Sequence, residues 1–212
     1  MKKRTIQVAM SAILGIMLAL VFTFREMIPE LGRGPGSPET ASALLPAPYP
    51  APPLALVDPQ GRRLELQALR GTLVAVFFGY THCPDVCPLT LQRLGRLQEA
   101  WGSDRPELSV VFVSVDPERD TPDRLRTFVE SLPGHVLALT APEDEVRQQA
   151  AAWGVMVRER HEEGLPMGEY LVDHTARTFL LDLDGRVIAT LPPMPSPGEV
   201  DRTVAEVLET LR

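Results

Sequence analysis

The sequence predicts a three-layer α/β/α domain with a mixed central sheet, carried on an N-terminal transmembrane helix. Three observations lead there. Apolar runs at residues 72–78, 109–115 and 136–139 alternate with segments of helical pattern, the order that builds a parallel sheet. Asp184-Gly185 separates two further apolar runs, at 178–183 and 186–190, and Asp-Gly is a strong hairpin signal that adds antiparallel strands. The first 53 residues share neither pattern and divide into an apolar run and a proline-rich stretch.

Taken in order, residues 6–24 form an uncharged, mostly apolar run of 19 residues. As a helix it is ~28 Å long, close to the ~30 Å hydrocarbon core of a bilayer. Lys2, Lys3 and Arg4 precede it, and Arg25 and Glu26 follow it. That asymmetry keeps the N-terminus in the cytoplasm and sends the rest across the membrane. A cleaved signal peptide is the competing reading, but no small-x-small site directly follows the apolar run. Residues 1–28 are therefore read as a membrane anchor. Residues 29–53 carry Pro29, Pro35, Pro38, Pro46, Pro48, Pro50, Pro52 and Pro53. Proline lacks an N–H donor, so this stretch reads as an extended linker that forms neither helix nor central strand.

Residues 54–212 read as the folded domain. Residues 54–57 and 64–66 flank the turn Asp58-Pro59-Gln60-Gly61. Residues 72–78 suit a central buried strand. A helix starts near Cys87, carries Leu89, Leu94 and Leu97, and ends around Trp101-Gly102. After the strand at 109–115, Thr121-Pro122-Asp123 reads as a helix start with Thr as cap and Pro at the first position. After the strand at 136–139, Thr140-Ala141-Pro142-Glu143 reads as a capping box. The terminal hairpin is followed by a helix, opened by Ser196-Pro197-Gly198-Glu199, with Val200, Val204, Val207, Leu208 and Leu211 on one side.

Composition narrows the function classes. The chain has 212 residues, 44% hydrophobic and 23% charged, the mixture of a globular domain. Lys+Arg 21 against Asp+Glu 28 gives a net charge of -7, which disfavours a nucleic-acid binder, a class that normally shows a basic footprint. With 2 Cys the chain is no disulfide-rich scaffold. Both cysteines, Cys83 and Cys87, fall in one segment after the strand at 72–78, and sheets of this class carry their sites at the carboxyl ends of central strands. An i, i+4 spacing at a helix start puts Cβ atoms ~5–6 Å apart. That distance admits two thiolates on one ion or a disulfide, and a helix N-terminus favours the thiolate.

Two thiolates need a further ligand to complete a stable metal site. His135 follows Pro133-Gly134 and His161 lies in the charged stretch 158–163, so both read as solvated. His82 adjoins Cys83 and reads as pointing elsewhere. Position leaves His174 open between a ligand and a structural histidine, with Asp173 placed to orient it or a neighbouring loop. Asp116, Arg119 and Asp120 read as loop structure first, with Asp116 also a candidate for the site rim or a partner contact. Tyr80 is expected beside the thiol loop, Trp101 and Trp153 in packing, and Met167 in a loop.

The segments Phe77-Phe78-Gly79-Tyr80-Thr81-His82-Cys83-Pro84-Asp85-Val86-Cys87-Pro88, Val113-Ser114-Val115-Asp116-Pro117-Glu118-Arg119-Asp120-Thr121-Pro122 and Asp173-His174-Thr175, in this order, resemble the Sco/SenC family, the "synthesis of cytochrome c oxidase" proteins. The resemblance implies a thioredoxin-like fold on a membrane anchor, one copper per chain, and Cys83, Cys87 and His174 as its metal ligands. It also implies cytochrome c oxidase subunit II as partner, a copper donor protein upstream, and a domain on the extracytoplasmic side of the cytoplasmic membrane. Soft thiolates with an imidazole suit Cu(I), and the same set can hold Cu(II). A second role stays open: a thiol-disulfide oxidoreductase in which Cys83 and Cys87 reduce the acceptor's cysteines. The thiol peroxidase pattern P-x-x-x-[TS]-x-x-C is not met, since Tyr80 and Pro84 stand where its Pro and its Thr or Ser belong.

Overall fold

The computed structural model describes residues 44–161, 170–192, and 202–203, 205–207 and 209 near the C-terminus. The expected anchor, the first part of the linker, Met167 and the opening of the last helix lie outside the described residues. Among those described, no helix is long and apolar enough to cross a membrane.

The centre is a six-stranded mixed sheet. Its strands are β1 (Leu44–Pro50), β4 (Leu73–Gly79), β5 (Leu108–Ser114), β6 (Val136–Leu139), β9 (Thr178–Leu181) and β10 (Arg186–Leu191), in the order β1-β10-β9-β4-β5-β6. β4, β5 and β6 run parallel, while β9, β10 and β1 add antiparallel pairings. β4 and β5 are buried along their whole length, as the unbroken apolar run of β4 and the mostly apolar run of β5 require. Helix α1 (Val86–Glu99) connects β4 to β5, and α2 (Pro122–Glu130) connects β5 to β6. Helix α3 (Glu143–Ala152) follows β6.

Side-chain alternation along β4 separates the two faces. Phe77 packs on Phe112, which meets Phe128 of α2 with ring centroids 5.6 Å apart. Phe78 points the other way, onto Trp153 after α3 and onto Phe179. The predicted α/β/α layering with a mixed sheet is therefore present. Val207, in the expected last helix, is buried and lines a small apolar cavity with Leu94 and Trp101.

Several elements differ from expectation. Leu44–Pro50 is a strand rather than linker, so the paired structure begins ten residues before Leu54. The prolines are tolerated because β1 is the outermost strand, where one edge needs no donors. The capping box at Thr140 does not form. Pro142 occupies the cap position without a side-chain bond, while the Thr140 backbone exchanges both hydrogen bonds with Val57 at 2.9 Å. Glu143, Asp144 and Glu145 in the first turn of α3 meet the positive end of its dipole instead. Thr121 does cap α2, accepting from the Arg124 N–H at 3.3 Å, with Pro122 at the first position. The hairpin of β2 (Ala55–Val57) and β3 (Arg63–Glu65) forms a separate two-stranded sheet. A second such ribbon, β7 (Val157–Arg160) with β8 (Leu171–His174), has no counterpart in the sequence reading. It carries His174.

Candidate metal centre

The thiol loop leaves the carboxyl end of β4 at Gly79 and enters α1 at Val86. Asp85, at the cap position of α1, makes no side-chain cap bond. The Cys83 sulfur takes that place, accepting from the Cys87 backbone N–H at 3.5 Å. Cys87 lies in the first helical turn and is fully buried, while Cys83 is half-buried. Gly79 makes room for the inner sulfur: a Cβ there would stand 2.8 Å from Cys87 Sγ and 2.9 Å from Phe77.

The two thiols titrate very differently. The Cys87 thiol donates to Cys83, and the amides of Cys87 and Asp85 add to it, so the Cys83 thiol is pulled down to about 5 against the opposing effect of burial. Cys87 is pushed far up, first by that same hydrogen bond and then by burial. The reduced pair thus holds one shared proton on the buried sulfur.

His174 closes the site from β8. Its Nδ1 lies 3.0 Å from the Val172 carbonyl. A carbonyl only accepts, so Nδ1 carries a hydrogen there and Nε2 is the ring nitrogen turned to the sulfurs. Nε2 lies 3.9 Å from Cys87 Sγ, across 87 residues of sequence. The Tyr80 ring stands edge-on to the imidazole at 5.7 Å between centroids, and burial raises the Tyr80 hydroxyl pKa. The structure therefore brings Cys83, Cys87 and His174 together. Asp173 does not orient His174; it pairs with Arg158 at 3.3 Å and Arg160 at 3.2 Å on the other face of the ribbon.

The remaining histidines stay apart from the sulfurs. His82 turns its Nδ1 to Thr81 Oγ1 at 3.3 Å and to Asp120 at 3.5 Å. His135 is exposed and its backbone N–H donates to Gln98. His161 is exposed beside Glu159. Ligand-type atoms of His82, Asp116 and Asp120 come within 4.8 Å of one another, but their carboxylate oxygens are already engaged. Asp120 accepts from Thr81 Oγ1 and Ser114 Oγ at 2.6 Å each and from the Thr81 N–H at 3.0 Å. Asp116 accepts from Arg119 Nε at 2.6 Å and from the Tyr170 hydroxyl at 2.8 Å. These two carboxylates are structural anchors, as loop structure. Tyr170 and Gly79 were missed as contributors. Gly79 stood inside the thiol segment, where a glycine at a strand end before two cysteines is a readable signal of close approach. Tyr170 is 54 residues from Asp116 and has no local signal.

A family model described as SCO1/SenC matches residues 46–209. An SCO2-like protein of Rickettsia prowazekii is 30% identical over 134 residues, covering 63% of this chain and 65% of the relative. Among solved structures, apo Sco1 of Thermus thermophilus is 35% identical, with a TM-score of 0.67, covering 81% of this chain and 96% of that one. The copper-bound ScoI of Bradyrhizobium japonicum is 32% identical, with a TM-score of 0.65, covering 74% and 99%. The match spans both the fold and the segment holding the two sulfurs and the imidazole, and the chain belongs to the SCO1/SenC family.

Proposed function

We propose that this chain is a membrane-tethered copper chaperone that serves assembly of the dinuclear copper centre in cytochrome c oxidase subunit II. Cys83, Cys87 and His174 are its ligands. The observation that carries the reading is the 3.9 Å approach of His174 Nε2 to Cys87 Sγ beside the Cys83 sulfur. Two sulfurs and one imidazole are a donor set that suits Cu(I) and tolerates Cu(II). The Bradyrhizobium relative with copper bound supports copper as the cargo. Three protein ligands leave a position for an incoming thiolate, so copper can pass by ligand exchange. The Cys83 sulfur, half-buried at the loop, is the one an acceptor reaches first.

The apolar run at 6–24 supports a single-pass anchor, with the domain on the extracytoplasmic side of the cytoplasmic membrane. Copper arrives there from a donor protein. A second reading is favoured by the unequal thiols. A Cys83 thiolate with a pKa of about 5 attacks one sulfur of an acceptor disulfide and forms a mixed disulfide. Cys87 then gives up its proton and attacks the Cys83 sulfur. Two acceptor thiols leave, and Cys83–Cys87 carries away the two-electron oxidation.

Anaerobic incubation of the reduced, copper-loaded full chain with metal-free subunit II, whose cysteines are presented reduced in one arm and as a disulfide in the other, separates the two. The chaperone reading expects copper in the acceptor and both cysteines still reduced. Oxidation of Cys83 and Cys87 without copper transfer overturns it and leaves the reductase.

A further inference from the structure

The turn between β5 and α2 carries two carboxylates that reach opposite halves of the site. It is closed by the Asp120 N–H donating to the Asp116 carbonyl at 2.9 Å. Asp120, 1% exposed, grips Thr81, two residues before Cys83, by accepting two hydrogen bonds from it, and accepts a third from Ser114 Oγ. Asp116 faces the other half. The Arg119 guanidinium sits against it, with Nε and Nη2 each 2.6 Å from Oδ2. The same guanidinium donates from Nη1 to the Tyr170 carbonyl at 2.8 Å. Its Cζ also lies over the Tyr170 ring, 3.6 Å from the centroid, and 5.7 Å from the centroid of the Tyr80 ring. The Tyr170 hydroxyl returns to Asp116 at 2.8 Å. Tyr170 immediately precedes β8, whose last residue is His174.

We propose that Arg119 is a positioning residue for the metal centre: by tying Tyr170 to Asp116 it fixes β8, and with it His174, against the thiol loop that the same turn holds through Asp120. The proposal rests on the copper reading above and adds which residues set the imidazole-to-sulfur distance. The physical need is plain in the topology. The ribbon of β7 and β8 is not part of the central sheet, and the β7 side chains are half-buried to exposed. Its own strand pairing cannot fix where His174 stands relative to β4. The Arg119 contacts supply that tie from β5, which neighbours β4 in the sheet. The arrangement needs a guanidinium: one planar group makes the paired contact to a carboxylate, a carbonyl bond and a ring stack at once, which an ammonium cannot.

The test is a double-mutant cycle on copper affinity, read by competition titration of the full chain in detergent with Cu(II). Wild type, Arg119→Met, His174→Ala and the double variant are compared, with far-UV circular dichroism as the check on folding. A residue that acts through the imidazole loses its effect when the imidazole is gone. Arg119→Met is expected to weaken copper binding about 10–100-fold when His174 is present, and less than about twofold in the His174→Ala background. Tyr170→Phe keeps the ring stack and loses only the hydroxyl. It is expected to weaken binding less than Arg119→Met, again only with His174 present. It carries the test if Arg119→Met fails to fold. Equal loss in both backgrounds, or no loss in either, overturns the positioning role. A wild-type chain that binds no copper overturns the copper reading itself, and the positioning role with it.

Discussion

At Cys83, the Cys87 thiol first, and then the amides of Cys87 and Asp85, hold the sulfur as thiolate down to about pH 5. At Cys87, the shared proton and burial keep the sulfur protonated through the neutral range. The sign is definite: a lowered pKa means that thiolate is already present wherever the pH exceeds that value. Alkylation of the reduced, copper-free chain at limiting iodoacetamide should modify Cys83 first, with a rate profile half-maximal near pH 5. Peptide mass mapping across pH reads this directly. Profiles that rise near pH 9 for both residues would show that the thiols do not share a proton. His174 supplies the other residue-level expectation. Replacing it with Ala removes a ligand outright, so copper affinity should fall by more than about a hundredfold, beyond the usual cost of losing a supporting contact. Copper competition titration checks it.

The elements differ in how far their residues announce them. β4 is an unbroken apolar run and β5 a mostly apolar one, α2 has Thr121 and Pro122 at its start, and the hairpin has Gly185 with φ 78. Each was legible because one local rule decides it. β7 was not. Val157-Arg158-Glu159-Arg160 has one apolar residue and reads as a charged loop. It is a strand because β8 pairs with it and Asp173 meets both Arg158 and Arg160 across the ribbon, which is information held elsewhere in the chain. β1 was hidden for the opposite reason, since Pro46, Pro48 and Pro50 argue against a strand until its place at the sheet edge is known. Two variants test the elements. Gly79→Ala drives a methyl to 2.8 Å from Cys87 Sγ. It should destabilise the domain by about 1–3 kcal/mol through overpacking and displace the sulfur, so copper affinity falls as well; urea unfolding and copper titration read the two effects. Thr121→Ala should cost about 1 kcal/mol by losing the cap of α2 while leaving copper binding unchanged. A wild-type unfolding midpoint in Thr121→Ala would show that the hydroxyl contact at 3.3 Å contributes nothing.

At the scale of the molecule, the sheet order does the assembling. β4 lies between β5 and β9, so its carboxyl end delivers the thiol loop to the place where the turn after β5 can hold it. β8 then returns just before β9, bringing an imidazole 87 positions downstream of Cys87 to within 3.9 Å of its sulfur. The sulfur pair was legible from spacing alone. The imidazole was not: position left His174 undecided, and the family resemblance singled it out. The ties that hold it, through Asp116, Arg119 and Tyr170, were invisible because they join residues more than fifty positions apart. The central claim is that one copper ion is held by those two sulfurs and that ring. X-ray absorption at the copper edge of the Cu(I)-loaded full chain tests it most directly. The account predicts two sulfur scatterers and one imidazole per copper. A first shell with fewer than two sulfurs, or with no imidazole, would contradict it.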